Sequence, residues 1–169
     1  MSKYDYVIAI DPDVEESGVA HLNVATREFL LSKRRFPELV NYCVTAYNTA
    51  KEAGKKVAVV IEAGWKNRPN WHIQGRGACV AAAIGKQTGR NHEVGRLLVE
   101  CLEYNNIPVD TPMPLKKCWC GRDGKITAGE LSSFTGIKGR TNQDVRDAAL
   151  LAWVYADLPI KIPPKGRFC

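Results

Sequence analysis

Two apolar runs constrain this chain more than any other feature. "YDYVIAID" (4–11) and "KVAVVIEAG" (56–64) are apolar on consecutive positions and stop at single carboxylates, Asp11 and Glu62. A strand dressed with apolar side chains on both faces belongs inside a sheet that is covered on both sides. The strand period of two puts Val7, Ala9 and Asp11 on one face, and Ala58, Val60 and Glu62 on one face. If the two strands are parallel neighbours, both carboxylates emerge together at the C-terminal edge. Open α/β sheets bind their ligands at that edge.

The rest of the chain supplies the remaining layers. "SGVAHLNV" (17–24) and "REFLLSKR" (27–34) read as strands joined by a tight turn at Ala25 and Thr26. Pro37 opens a helix that Gly54 closes. Helical spacing predicts a segment over 78–87 and a firmer one over 91–104, then a short fifth strand over 107–112. A short helix over 127–134 and a last helix over 142–156, capped by Thr141 or Asn142, complete the pattern. Residues 159–169 form a basic, Pro-rich tail. The expectation is one domain, 1–169, with its core over about 4–156. Its class is α/β: a mixed five-stranded sheet with helices packed on both faces.

The last helix bears on the two carboxylates. Positions 144, 147, 148, 151 and 155 form one stripe reading Asp, Asp, Ala, Leu, Tyr. Its apolar part must face the sheet, so Asp144 and Asp147 face it too, about 5–6 Å apart at Cβ. Each acid has a plainer explanation. Asp144 can complement the helix dipole or form a capping box with Thr141, Asp11 can serve a turn before Pro12, and Glu62 can end its strand. Together the four repel one another unless cations neutralise them. Oxygen donors of this kind suit Mg²⁺ or Mn²⁺. Two ions about 3.5–4 Å apart can clamp an in-line displacement at phosphorus, which points to phosphodiester hydrolysis.

Bulk properties agree. Lys and Arg number 24 against 18 Asp and Glu, for a net charge of +6, which favours a polyanionic partner without demanding one. No apolar stretch approaches the ~18 residues of a membrane span. The N-terminus has no basic-then-apolar leader, so a cytoplasmic protein with reduced thiols is expected. Cys118 and Cys120 flank Trp119 without a second pair or a His, a poor zinc signature.

"IAIDPDVEESGVA", "VVIEAGW" and "NQDVRDAALLAW" resemble the three acidic motifs of RuvC-type Holliday junction resolvases, within the RNase H-like superfamily. The resemblance covers most of residues 4–156. It implies an RNase H-like fold and a bacterial or phage-encoded homodimer that nicks a four-way DNA junction symmetrically. It implies Asp11, Glu62, Asp144 and Asp147 as catalytic ligands of two Mg²⁺ ions, with no small-molecule cofactor. It also implies basic residues after the fifth strand. Lys116, Lys117 and Lys125 are the candidates, with Lys117 or Lys125 near the scissile phosphate. The first motif departs from the family's Asp-Pro-Gly, carrying extra acids at Asp13, Glu15 and Glu16, and the loop after Glu62 is longer.

That loop carries Trp65, Lys66, Arg68, Trp71, His72 and Arg76. Aromatics interleaved with cations suit unstacked bases and phosphates, at about 1–3 kcal/mol per stacked base. Packing of Trp71 on the domain body is the plainer alternative. Lys138 and Arg140, just before the last helix, can reach phosphates. Arg146 lies between the two aspartates, directed toward DNA or toward Glu62. Paired nicks need a dimer, and "HEVGRLLVECLEYNN" has apolar surface for an interface as well as a core. Three rivals share parts of this pattern. They are another RNase H-like nuclease (acting on RNA–DNA hybrids or in phage DNA processing), a junction-binding module without catalysis, and an actin-like nucleotide binder. The last needs a Gly-rich phosphate turn, and residues 12–18 hold one glycine.

Overall fold

The computed structural model describes residues 3–67 and 77–161. Strands β1 (Tyr6–Asp11), β2 (Ser17–Asn23) and β3 (Glu28–Arg34) form an antiparallel meander. Helix α1 (Phe36–Glu52) then leads to β4 (Val57–Ile61), which lies parallel to β1 in a register running from Tyr6↔Val57 to Ile10↔Ile61. Helix α2 (Ala78–Tyr104) leads to β5 (Val109–Asp110), parallel to β4. Helices α3 (Ala128–Thr135) and α4 (Gln143–Tyr155) follow. The sheet order is β3-β2-β1-β4-β5, so the two strands that run into carboxylates are parallel neighbours.

Alternation along these strands divides the core in two. Val7, Ala9, Ala20, Leu22, Ala58 and Val60 pack against Ala148, Leu151 and Ala152 of α4. Ile8, Ile10, Val19, Val59 and Ile61 pack against Leu39 and Cys43 of α1 and Leu98 and Leu102 of α2. The helices therefore cover both faces, and the face holding Val7 and Ala9 is the one that α4 covers. Asp11 and Glu62 continue that face.

Local sequence explains where the elements stop. The Asn142 side chain accepts the Val145 amide at 3.0 Å, making it the cap of α4. Thr127 and Glu130 form a capping box at α3, which Gly136 ends in the left-handed conformation. Two expectations are corrected. The two helical segments over 78–104 are one helix, running through Gly85 and Gly89. A mid-helix glycine costs about 1 kcal/mol but does not break the hydrogen-bond ladder, and no proline interrupts this stretch. The fifth strand shrinks from 107–112 to Val109–Asp110, because Pro108 and Pro112 lack the N–H a ladder needs.

Cys43, Cys79, Cys101 and Cys118 are free, whereas Cys120 is disulfide-bonded, against the expectation of reduced thiols throughout. No described helix is long and apolar enough to cross a membrane.

Candidate active site

Where β1 and β4 end, the chain opens into a cavity of about 310 Å³ lined by Asp11, Glu62 and Asp147. Three elements supply the three acids. The Glu62 amide donates to the Ile10 carbonyl at 3.0 Å, which carries the parallel pairing one step past β4 and sets Glu62 beside the end of β1. Asp147 comes from α4, one position before the buried Ala148 and Ala149 that seat the helix on the sheet.

The approach of α4 depends on Gly18. A Cβ at that position would lie 2.3 Å from the carbonyl carbon and oxygen of Asp144, so only glycine lets the first turn of α4 rest on β2.

The acids perturb one another. Burial, reinforced by the charges of Glu62 and Asp147, holds the Asp11 carboxyl well above the usual carboxylate range. Burial and Asp147 likewise push Glu62 up, opposed by the Leu115 amide, Lys125 and Lys117. Asp147 is engaged on both oxygens. It accepts from Lys125 Nζ at 2.8 Å and from Gln143 Nε2 at 2.7 Å. Burial opposes the charge on Lys125, but the hydrogen bond to Asp147 outweighs it, so its pKa rises.

Asp144 does not line this cavity. Its carboxylate pairs instead with Lys33 on β3 at 3.2 Å. Residue Gly18 is the β2 partner of Lys33 in the ladder, so the same close approach that seats α4 brings Asp144 to that lysine.

Lys116, Lys117 and Lys125 all line the cavity. The Gly121 amide donates to Lys125 O at 2.9 Å, and Trp119 N to Gly124 O at 3.0 Å, closing a tight loop. Gly124 has φ +72, and a Cβ there would crowd the Lys117 carbonyl at 3.0 Å. Glycine thus lets the Lys117 and Lys125 limbs lie together. Glu130 fastens this loop from below. It accepts from the Cys120 amide at 2.9 Å, the Thr127 amide at 2.9 Å and the Thr127 hydroxyl at 2.8 Å.

The remaining sequence candidates separate. Trp65 lines the cavity and packs on Gly95 of α2, where a Cβ would meet its ring at 2.4 Å. Lys66 folds back onto Thr111, donating to its carbonyl and hydroxyl. Lys138 and Arg140 line a separate groove. Arg68, Trp71, His72 and Arg76 lie outside the described residues, as does the tail from 162. Arg146 does not pair with Glu62. It donates to the carbonyls of Ile126 and Thr141 and to Gln143 Oε1, bracing two loops against α4.

Asp13 does not line the cavity either. It accepts from Asn91 Nδ2 at 3.1 Å and the Glu15 amide at 2.9 Å, tying the acidic loop to α2. Sequence reasoning missed Asn91 and His92, which enter the cavity from α2, and Gln143, which holds Asp147. Only the residue types hinted at them. Burial and Arg96 lower the pKa of His92, favouring its neutral form.

The donor set suits a hard divalent cation. Asp11, Glu62 and Asp147 offer oxygens that repel one another when charged, and among the described residues the one ion pair any of them makes is Lys125 with Asp147, so further positive charge would be favoured. Among the described residues, no three His, Cys, Asp or Glu side chains already form a cage for a metal ion. The fit is therefore one of chemistry and shared cavity.

A mixed sheet in this order, with helices on both faces, is the RNase H-like fold. Among solved structures the chain is similar to that of T. thermophilus RuvC in complex with a Holliday junction substrate. The two share 16% identity over 89% of this chain and 92% of that chain, with a TM-score of 0.53. A second Thermus thermophilus RuvC structure shares 15% identity over 89% of this chain and 93% of that chain, at a TM-score of 0.47. No protein-family model matches the sequence, and no curated protein does.

Proposed function

We propose that the chain is a divalent-metal-dependent endodeoxyribonuclease that resolves four-way DNA junctions by paired phosphodiester hydrolysis, acting as a homodimer. The observation that carries this reading is the convergence of Asp11, Glu62 and Asp147 with Lys117 and Lys125 in one cavity at the ends of β1 and β4. Junctions are favoured over other nucleic acids because the solved RuvC structure of the same fold holds a Holliday junction substrate.

The chain's own residues divide the work. Asp11, Glu62 and Asp147, joined by Asp144, would hold Mg²⁺ or Mn²⁺. Bound there, the metal supplies an activated water and charge neutralisation at phosphorus. Gln143 orients Asp147 through its 2.7 Å hydrogen bond. Lys117 and Lys125 would place positive charge where the phosphate enters, with Lys125 held at Asp147 by its 2.8 Å hydrogen bond. Glu130 keeps both lysines at the cavity by holding their loop.

The test is cleavage of a synthetic four-way junction, a linear duplex and an RNA–DNA hybrid, with Mg²⁺, Mn²⁺ or EDTA. Asp144→Asn and Asp147→Asn proteins run alongside. Symmetric paired nicks in the junction alone, lost in EDTA and in both variants, are expected. Cleavage of the hybrid would keep the metal site and move the substrate. Tight junction binding with no cleavage would leave a binding module and overturn the catalytic reading.

A further inference from the structure

Resting on that nuclease reading, a second surface gives Asp144 a partner outside the cavity. A groove of about 690 Å³ lies beside the catalytic cavity and shares no lining residue with it. Its cations are Lys33, Lys138 and Arg140, set around Thr141 and the cap residue Asn142, and none of its described lining residues is acidic. Three cations in an open groove, with no carboxylate among the lining, fit a run of phosphodiesters. Of these two surfaces Lys33 lines only the groove, yet its ammonium also holds Asp144 at 3.2 Å, outside the cavity.

That pair is easily exchanged. Both side chains are 33% exposed, and a solvent-reached ion pair shifts an equilibrium by no more than about fivefold. A phosphate drawn in by Lys138 and Arg140 competes with Asp144 on comparable terms. Asp144 lies one helical turn before Asp147, about 5–6 Å away at Cβ, and its charge already acts on the Asp11 carboxyl, so the two are within electrostatic reach. The Asn142 cap keeps the helix itself in place.

We propose that the Lys33–Lys138–Arg140 groove binds the nucleic-acid backbone, and that Lys33 then trades Asp144 for a phosphate oxygen, freeing Asp144 to join Asp11, Glu62 and Asp147. Substrate engagement thereby completes the carboxylate set.

Two readouts other than cleavage test this. One is affinity for a fluorescent four-way junction in EDTA as a function of salt. The other is Mn²⁺ binding without DNA, followed by electron paramagnetic resonance. The proteins are wild type, Lys33→Gln, Lys33→Arg, Lys138→Gln, Asp144→Asn and the Lys33→Gln/Asp144→Asn double variant.

Lys33→Gln and Lys138→Gln should each flatten the salt slope by about 0.9, the value of one phosphate contact. Lys33→Gln alone should also tighten Mn²⁺ binding by up to about fivefold. That gain should vanish in the Asp144→Asn background, and Lys33→Arg should behave as wild type in both assays. A lysine with only a structural role would not weaken one ligand while strengthening the other. An unchanged salt slope in Lys33→Gln overturns the proposal. So does a Mn²⁺ gain that persists without Asp144, or an absence of Mn²⁺ binding in every protein. Failure of the wild type to cut any nucleic acid, with both groove results intact, would overturn the nuclease reading and spare the groove.

Discussion

Asp11 ends a buried strand at the wall of the cavity, partly exposed and crowded by other carboxylates. Burial and the neighbouring Glu62 and Asp147 raise its pKa well above 3.8. A carboxyl raised in this way binds its proton more tightly in the folded chain than in the unfolded one. Stability therefore falls as pH rises from about 4, through the folded value. Thermal unfolding in EDTA should show the protein losing stability toward neutral pH. Asp11→Asn should remove that loss, gaining about 1–3 kcal/mol at pH 7, the usual penalty on a buried group whose hydration is not replaced. Mg²⁺ should stabilise the wild type and not this variant. An Asp11→Asn protein less stable than wild type at pH 7 would contradict the charge argument. For cleavage, Glu62→Gln and Asp147→Asn should each lose more than the 10–100-fold typical of outer partners of a metal site. Three of the acids were legible because strand and helix periods fix which face a residue occupies. The partners of Arg146 were not legible, because a helical angle gives direction but not partner: two acceptors, Thr141 and Gln143, lie at the start of its own helix and the Ile126 carbonyl comes from the loop before α3.

At the scale of elements, close approach decides the site. Gly18 lets α4 rest on β2, and the sequence marked it only as one glycine in a strand. Gly18→Ala should shift α4 outward, costing about 1–3 kcal/mol in denaturant unfolding as overpacking does and lowering cleavage as well. Wild-type stability would show that the helix slides freely. The loop of Lys117 and Lys125 rests on Glu130 in the same manner. Burial pushes the Glu130 carboxyl up, but the hydrogen bonds from Thr127 and Cys120 outweigh it, and its pKa falls below 4.5. Its contribution is thus present above pH 4.5 and is lost as pH drops further, opposite in sign to Asp11. Glu130→Gln should cost about 0.5–2 kcal/mol as the loss of a capping group does, and should slow cleavage and weaken DNA binding in EDTA as the loop of Lys117 and Lys125 loosens. The extents of α2 and β5 were less legible. Glycines inside α2 weigh against a helix locally, and the apolar β-branched residues of 107–112 hide how firmly two prolines limit pairing.

At the scale of the molecule, the mixed sheet and its two-sided helical cover were legible from two apolar runs. A doubly apolar strand has few places to go. The setting of α2 was less legible: Leu98 and Leu102 seat it on the sheet at helical spacing, but Trp65 against Gly95 and His92 against Gly64 are close approaches that no repeat announces. The same helix leaves Leu97 41% and Tyr104 87% exposed while Leu98 and Leu102 are buried. Positions seven apart lie on one helical stripe, so Leu97 and Tyr104 offer the apolar contact that a two-fold interface requires. Light scattering should therefore give a dimer of about 37 kDa, twice the 18.7 kDa chain. Leu97→Glu/Tyr104→Glu should shift it to monomer with little change in unfolding temperature, because both side chains are already wet. On a four-way junction the dimer should cut two strands and the monomer variant one, since each chain carries a single Asp11–Glu62–Asp147 cavity. Paired nicks from a wild type that stays monomeric at all concentrations would overturn the two-site requirement.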